Sequence, residues 1–410
     1  MDRFIYLQEQ EINELFGNHP GEGKQIIGIA YALDDNTVFH ASIKGLSGYH
    51  ADQLPCYFYA FNSHTELANA VPELNGKLSQ EQDALLVAIS IVSGESKIQG
   101  FFKSRNDLFK CEIRFIPVKS DLYSRSKGLL EVECLSKKHV AIVGLGSGGS
   151  PLAVELAKAG VGSFTLIDYD RLELANVARH ICGINDLGRY KTFAVRDAIW
   201  QKNPHTSIKT YEIDVNKEMA TCEKAVSNAD LILCASDNDK SRFYLNELSL
   251  KYKIPGIFGR ALTRAIGGDI LRVRPFQGPC YNCLYSQNLR ADGGDDEEIS
   301  QSDQAKKLLP DYTSTQELQA IIQVGLASDI APISNMMVKL SLVELSRGID
   351  TGIASLEEDL VSDFYIWANR RENVYENWSK LEYNFNKPSI LRWYGAKVKR
   401  DENCMACGKR

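Results

Sequence analysis

Six consecutive residues, Gly144-Leu145-Gly146-Ser147-Gly148-Gly149, follow the apolar run His139 to Val143 and open the helical pattern Ser150 to Ala159. Glycines at such a junction let the backbone approach a phosphate, while the helix N-terminus offers free N–H donors and the positive end of its dipole. Asp168 ends the next apolar run, 24 residues after Gly144, where a carboxylate can accept hydrogen bonds from ribose hydroxyls. The pattern specifies a nucleotide without saying which one, because a dehydrogenase carries the same glycines. The residues downstream separate the readings. Asp170, Asn176, Arg179, Lys191 and Asp237 form a set of polyphosphate ligands that hydride transfer does not need.

Two cysteine pairs, Cys280-Tyr281-Asn282-Cys283 and Cys404-Met405-Ala406-Cys407, suggest a second chemistry. Each presents two thiolates from a tight turn, and together they make the tetrahedral four-sulfur shell of structural Zn²⁺. The pairs are 120 residues apart, so the metal would pin the tail, including Ile390 to Tyr394, onto the body. A closed shell leaves no coordination position for a substrate, and the expected role is architectural. The other six cysteines, Cys56, Cys111, Cys134, Cys182, Cys222 and Cys234, stand alone. Cys182 is nearest in sequence to the polar set and is expected to be a buried, inert thiol.

The elements that must position these groups follow from the rest of the chain. Its 410 residues are enough for two or three domains, and 44% hydrophobic with 24% charged residues is a globular composition. With 47 basic against 53 acidic residues the net charge is −6, which argues against a nucleic-acid surface. No apolar run approaches the ~20 residues of a membrane-spanning helix and the start does not read as a signal peptide, so no membrane association and a cytoplasmic location are expected.

Residues 1–118 read as a separate α+β module, with β-like runs at 25–32, 57–61 and 111–118 and one helical stretch from Ser79 to Ser93. The polar connection 119–127 leads into residues 119–410. From His139 the order strand, glycine turn, helix, strand (Ser163 to Asp168) is the βαβ rhythm of a Rossmann-like, doubly wound, mostly parallel α/β sheet, continued by runs at 208–213, 231–235 and 256–258. Beyond Cys283 lies a crossover, 284–330, whose acidic part Asp292 to Asp303 is expected to be a mobile excursion able to close over a peptide tail. A helix (Ser334 to Ser346) and a β-rich section (Val361 to Lys399) complete the chain.

Taken together, Ile167-Asp168-Tyr169-Asp170, Asn176-Val177-Ala178-Arg179, Lys191 and Cys234-Ala235-Ser236-Asp237-Asn238 resemble the ThiF-like superfamily of ubiquitin-activating and sulfur-carrier-activating adenylating enzymes, over residues 121 to 410. The resemblance implies that Asp168 holds the ATP ribose, that Asn176, Arg179 and Lys191 line the triphosphate, and that Asp237 holds Mg²⁺. Gly144, Gly146, Gly149 and Asp170 complete the implied ATP site. Leu122-Tyr123-Ser124-Arg125-Ser126 resembles the family segment whose second arginine reaches the ATP of the other subunit, which implies a homodimer with Arg125 acting in trans. Leu122 and Ser126 depart from that segment's pattern.

The implied reaction joins the C-terminal glycine carboxylate of a ubiquitin-like or sulfur-carrier protein to AMP and releases pyrophosphate. A short peptide as substrate, an NAD(P)-linked oxidoreductase and a catalytically silent scaffold are the alternatives. Leu284 to Asn403 contains no cysteine, so the usual thioester site is absent. In the N-terminal module, Phe61-Asn62-Ser63-His64-Thr65-Glu66 with Ser79 and Asp83 is partly similar to the zinc motif of JAB-type deubiquitinating proteases. Asn62 replaces one histidine, which points to a degenerate module used for recognition.

Overall fold

The computed structural model describes residues 2–8, 11–12, 25–34, 36–43, 45, 52–61, 63–67, 83–92, 95–105, 107–116, 122–287, 325–372, 375 and 389–408. The chain divides into two compact units, Met1–Arg125 and Ser126–Arg410.

In the first unit, seven strands close into a barrel: β1 (Phe4–Gln8), β2 (Gln25–Leu33), β3 (Val38–Ser42), β4 (Asp52–Phe61), β5 (Ala84–Val92), β6 (Glu95–Ser104) and β7 (Asp107–Ile116), in the order β1-β3-β2-β4-β5-β6-β7. Closure comes from β1, which pairs in parallel with both β3 and β7. The interior is filled by Ile5, Phe39, Phe58, Leu85, Val87 and Phe102 among others.

The helix expected from Ser79 to Ser93 is not formed. Its residues 84–92 are strand β5, hydrogen-bonded to β4 and β6, while 79–82 lie outside the described residues. Leu85, Val87 and Ile89 face the barrel interior, and Leu86 packs with Tyr57, Tyr59, Phe61 and Phe101. A strand buried on both faces has no alternation of polar and apolar residues, so its apolar run cannot be told from a buried helix by periodicity. The α+β expectation is corrected accordingly: among the described residues this unit is a β barrel, with helical residues only at 11–12, 64–67 and 122 and in the 3-10 turn that begins at Ser124.

The second unit is built on an eight-stranded sheet in the order β10-β9-β8-β11-β12-β13-β14-β15. Its strands are β8 (His139–Val143), β9 (Ser163–Ile167), β10 (Ser207–Tyr211), β11 (Leu231–Cys234), β12 (Gly256–Ala261), β13 (Gly267–Val273), β14 (Phe364–Ala368) and β15 (Arg392–Ala396). The five strands from β10 to β12 are parallel, and β13, β14 and β15 extend the edge antiparallel.

Alternate residues of the central strands feed two cores, as the two-residue repeat of a strand requires. Val140, Ile142, Leu231 and Leu233 pack beneath α1 (Gly149–Lys158), α2 (Lys191–Trp200) and α6 (Ala327–Leu345). Ala141, Val143, Ile232 and Cys234 pack against α3 (Met219–Val226), α4 (Asp239–Tyr252) and α5 (Tyr281–Ser286). The acidic segment 292–303 and most of the crossover 284–330 fall outside the described residues.

Candidate functional site

Strands β8 and β11 are neighbours, but the chain leaves β8 toward β9 on one side and β11 toward β12 on the other. At such a switch point the connections diverge beyond the C-terminal ends of the strands and leave a crevice. A cavity of about 600 Å³ occupies that position. Gly144, Gly146, Asp168, Asp170, Asn176, Arg179, Lys191 and Asp237 all line it, although they span 94 positions of sequence (237 less 144, both inclusive).

Two members of the expected set do not. Gly149 begins α1, and a Cβ there would collide with the Gly144 carbonyl and press on Ala235 at 3.2 Å, so this glycine serves close packing of the loop on the sheet. Arg125 is exposed on the single 3-10 turn Ser124–Ser126 and belongs to the first unit.

The glycine loop is held from below. Gly144 has φ +86°, and a Cβ on it would meet the Ala235 carbonyl oxygen at 2.7 Å, so glycine is required. Asp168 accepts the Leu145 N–H at 2.7 Å through one oxygen and the Asp170 N–H at 2.8 Å through the other. Burial pushes the Asp168 carboxyl above the ordinary aspartate value, against the pull of Lys191 and these two donors. Lys191, buried at the start of α2, donates from Nζ to Asp170 Oδ2 at 2.7 Å, and that carboxylate is half exposed. Asn176 closes a capping box by accepting the Glu173 N–H at 3.0 Å. Arg179 follows on the same turn, half-buried.

On the opposite side, β11 delivers Asp237, whose side chain is exposed. Its loop is fixed by the next helix. Asn238 caps α4 by accepting the Ser241 N–H at 2.9 Å, and buried Arg242 donates to the Ser236 carbonyl at 2.6 Å and to Asp239 Oδ1 at 2.8 Å. Burial alone would raise the Asp239 carboxyl, but the Tyr281 and Tyr285 hydroxyls and Arg242 hold it well below the usual carboxylate range. Sequence reasoning missed Arg242, Asp239, Asp214 and His180. Asp214 and His180 also line the cavity, and the only sequence signal for any of the four was proximity to the recognised motifs.

The four paired cysteines come together as expected. Their sulfurs lie within 4.8 Å of one another, all buried, and are the one such group of possible metal ligands among the described residues. The Cys280–Cys283, Cys280–Cys404 and Cys283–Cys407 separations are 3.8, 3.7 and 3.5 Å. Four sulfurs each about 2.3 Å from a central Zn²⁺ form a tetrahedron with edges near 3.8 Å, so the cage fits that ion. The Asp401 N–H points at Cys283 Sγ from 3.5 Å, an outer-shell donor suited to thiolate. Near the tail, β15 pairs with β14, and Trp393 packs on Trp367 with ring centroids 5.4 Å apart. Cys182 is buried and its thiol is pushed up to about 12, which removes it as a nucleophile at neutral pH.

In the first unit, His64 Nδ1 is 2.7 Å from Ser90 Oγ, and Asp83 directly precedes β5. Asn62 and Ser79 lie outside the described residues, and the JAB resemblance gains no ligand cluster among the described ones.

A family model described as the ThiF family matches residues 122–371. The chain belongs to the ThiF family. Similar curated proteins include the adenylyltransferase and sulfurtransferase MOCS3 of Aedes aegypti, 32% identical over 152 residues, covering 37% of this chain and 34% of that protein. MOCS3 of Drosophila persimilis is 28% identical over 236 residues, covering 55% of this chain and 50% of that protein. The match thus spans a third to a half of the length of these relatives. Among solved structures, E. coli MccB has a similar fold, with a TM-score of 0.50 at 17% identity over 72% of this chain and 74% of that chain. No helix among the described residues is long and apolar enough to cross a membrane.

Proposed function

We propose that this ThiF-family protein is an ATP-dependent adenylyltransferase that activates the C-terminal carboxylate of a small ubiquitin-like or sulfur-carrier protein. The observation that carries the reading is the convergence of Asp168, Arg179, Lys191 and Asp237 on one cavity beside the glycine loop. The names of the MOCS3 relatives support the same chemistry.

The carboxylate attacks the α-phosphorus. One acyl–O–P bond forms, the bond to the bridging oxygen breaks, and pyrophosphate leaves with the electron pair. The nucleophile is already an anion, so no general base is required. Asp168 orients the ribose, and the glycine loop offers N–H groups to the phosphates. Arg179 and Lys191 spread the charge that develops on the phosphoryl oxygens. For Lys191 this means exchanging its bond to Asp170 for one to the nucleotide.

Asp237, exposed, and Asp214 both line the cavity and fit the one or two carboxylates that Mg²⁺ uses beside nucleotide oxygens. Mg²⁺ bound there supplies neutralisation of phosphate charge. Cys280, Cys283, Cys404 and Cys407 hold structural Zn²⁺. Arg125 serves the nucleotide of a second copy in a homodimer, a role supported by the resemblance of its segment. An oxidoreductase would leave Arg179, Lys191 and Asp237 without a task.

The test is ATP–pyrophosphate exchange in the presence of small glycine-ending carrier proteins. Exchange that depends on the carrier supports the proposal, exchange with a short peptide alone moves the substrate to the peptide class, and no exchange with either refutes it.

A further inference from the structure

His180 follows Arg179 and lines the same cavity, yet both ring nitrogens are engaged with backbone. Nε2 lies 2.7 Å from the Leu145 carbonyl oxygen, and Nδ1 accepts the Cys182 N–H at 3.0 Å. A nitrogen that accepts an N–H carries no proton, so the pair of bonds defines a neutral imidazole with its proton on Nε2, donating to Leu145. The preceding peptide is held as well, because the Leu145 N–H goes to Asp168 Oδ2 at 2.7 Å.

This grip has a consequence for the glycine loop. In a trans peptide the C=O and the following N–H point in opposite directions. A Leu145 carbonyl drawn toward His180 therefore turns the Gly146 N–H to the opposite side. Gly146 lines the cavity, and a Cβ on it would meet nothing within 4 Å, so its backbone borders open space. Ser150, at the start of α1, adds a tie between the same two segments: its Oγ donates to the Gly146 carbonyl at 2.8 Å and accepts the Ile181 N–H at 3.4 Å.

We propose that His180 is a positioning residue for nucleotide binding, which locks the phosphate loop to the Arg179 turn so that loop N–H groups and the guanidinium meet the triphosphate as one preformed unit. The inference rests on the adenylation reading. It assigns no proton transfer to His180, whose two nitrogens are both committed to backbone.

The charged groups facing the ring are Lys191 from the start of α2 and Asp186 from the 3-10 turn Ile184–Asp186, while Asp168 holds the N–H of the adjoining peptide at Leu145. Burial holds the imidazole below the ordinary histidine value. Lys191 acts in the same direction, and the Leu145 carbonyl and Asp186 oppose it. The ring is neutral at pH 7 and above. Protonation in acid would set an Nδ1–H against the Cys182 N–H, two donors face to face, and break the lock.

The experiment is calorimetric titration of the full-length protein with Mg–ATP from about pH 8 to about pH 5.5, spanning the histidine range, for wild type, His180→Gln and His180→Ala. A carboxamide carries one acceptor and a donor group and can serve both backbone partners, so His180→Gln is expected to bind within about threefold of wild type at pH 8. Its affinity should fall less in acid than that of wild type. His180→Ala leaves a carbonyl and an N–H without partners and is expected to bind about tenfold more weakly or worse.

The inference is overturned if His180→Ala binds like wild type or if His180→Gln is as weak as His180→Ala. Thermal melting identifies an unfolded variant, and should His180→Ala be one, the comparison of wild type with His180→Gln decides. A wild-type protein that binds no ATP at any pH would refute the adenylation reading itself, whereas ATP binding by wild type with normal affinity in His180→Ala refutes the positioning role alone.

Discussion

The nucleotide cleft and the four-cysteine cage lie in one unit and share one helix, α4, but they are built on opposite plans. At the cleft, side chains from loop ends and helix starts are held by bonds to backbone or to each other, and several remain half exposed, as with Asp170, which accepts from buried Lys191, and Asn176 on the Glu173 N–H. At the cage, four sulfurs are shut into the core, and α5 between them is tied to α4 through Asn246, which accepts the Tyr281 N–H at 2.9 Å and donates to Asn282 at 2.9 Å. The difference teaches which losses should be functional and which structural. Ligand can displace the provisional bonds of the cleft without cost to the fold. A metal held by the cage could not be removed without rebuilding the core around the four buried sulfurs.

The sharpest way to break this contrast is to remove the Zn²⁺ proposed for the cage. Structural zinc sites contribute about 10–16 kcal/mol, comparable to or larger than the whole stability of about 5–15 kcal/mol of a typical domain. A strong chelator or Cys283→Ser is expected to abolish the cooperative melting of the second unit, followed by calorimetry. An unchanged melt would place the cage on the same footing as the cleft. The converse variant is Asp237→Asn, which should lower ATP–pyrophosphate exchange by about 100-fold or more while leaving the melting temperature in place, because the side chain is exposed. A large fall in stability there would erase the distinction from the other side.

A smaller effect separates fold from function by pH. Burial would raise the Glu357 carboxyl, but hydrogen bonds from Arg274 at 2.7 and 2.6 Å and from Arg272 at 2.8 Å hold it down to about 2. A carboxylate depressed on folding stabilises above its unfolded value, near 4.3, and that stability is lost as the pH falls toward the folded value. Discounted for its solvent exposure, the contribution is about 1 kcal/mol. Glu357→Gln should remove about that much at pH 7 and flatten the loss of stability in acid, as measured by urea unfolding across the range, while exchange at neutral pH stays unchanged. The smallest effect is expected for Cys182→Ser, whose exchange rate should match wild type, since the buried thiol takes no part in the reaction. A tenfold loss in that variant, or a reductant-sensitive adduct lost with it, would contradict the assignment.

The same two regions differ in how much of them the sequence revealed. The cleft was legible where one short stretch carries both fold and chemistry, as in the glycine loop after β8 and Asp168 at the end of β9. The cysteine pairs were legible from their spacing, and their expected union is met by the four buried sulfurs. His180, Arg242 and Asp239 were not legible, because their partners are backbone atoms or distant tyrosines that no local spacing encodes. Gly149 was read as a phosphate ligand because the motif counts glycines without distinguishing approach to a ligand from approach to the sheet. In the barrel the failure was of another kind: the run Ala84 to Val92 is apolar on both faces, so only its pairing with β4 and β6 could decide between strand and helix.

The central claim is attack at the α-phosphorus, and isotope position tests it directly. Wild-type protein is incubated with its carrier and ATP labelled at either the α- or the γ-phosphate, and the protein-bound label is counted after acid quench. The account predicts label on the carrier from α-labelled ATP alone, with the γ label recovered entirely as pyrophosphate. Transfer of the γ label to protein, or release of the γ label as inorganic phosphate with nothing bound from the α position, would contradict it.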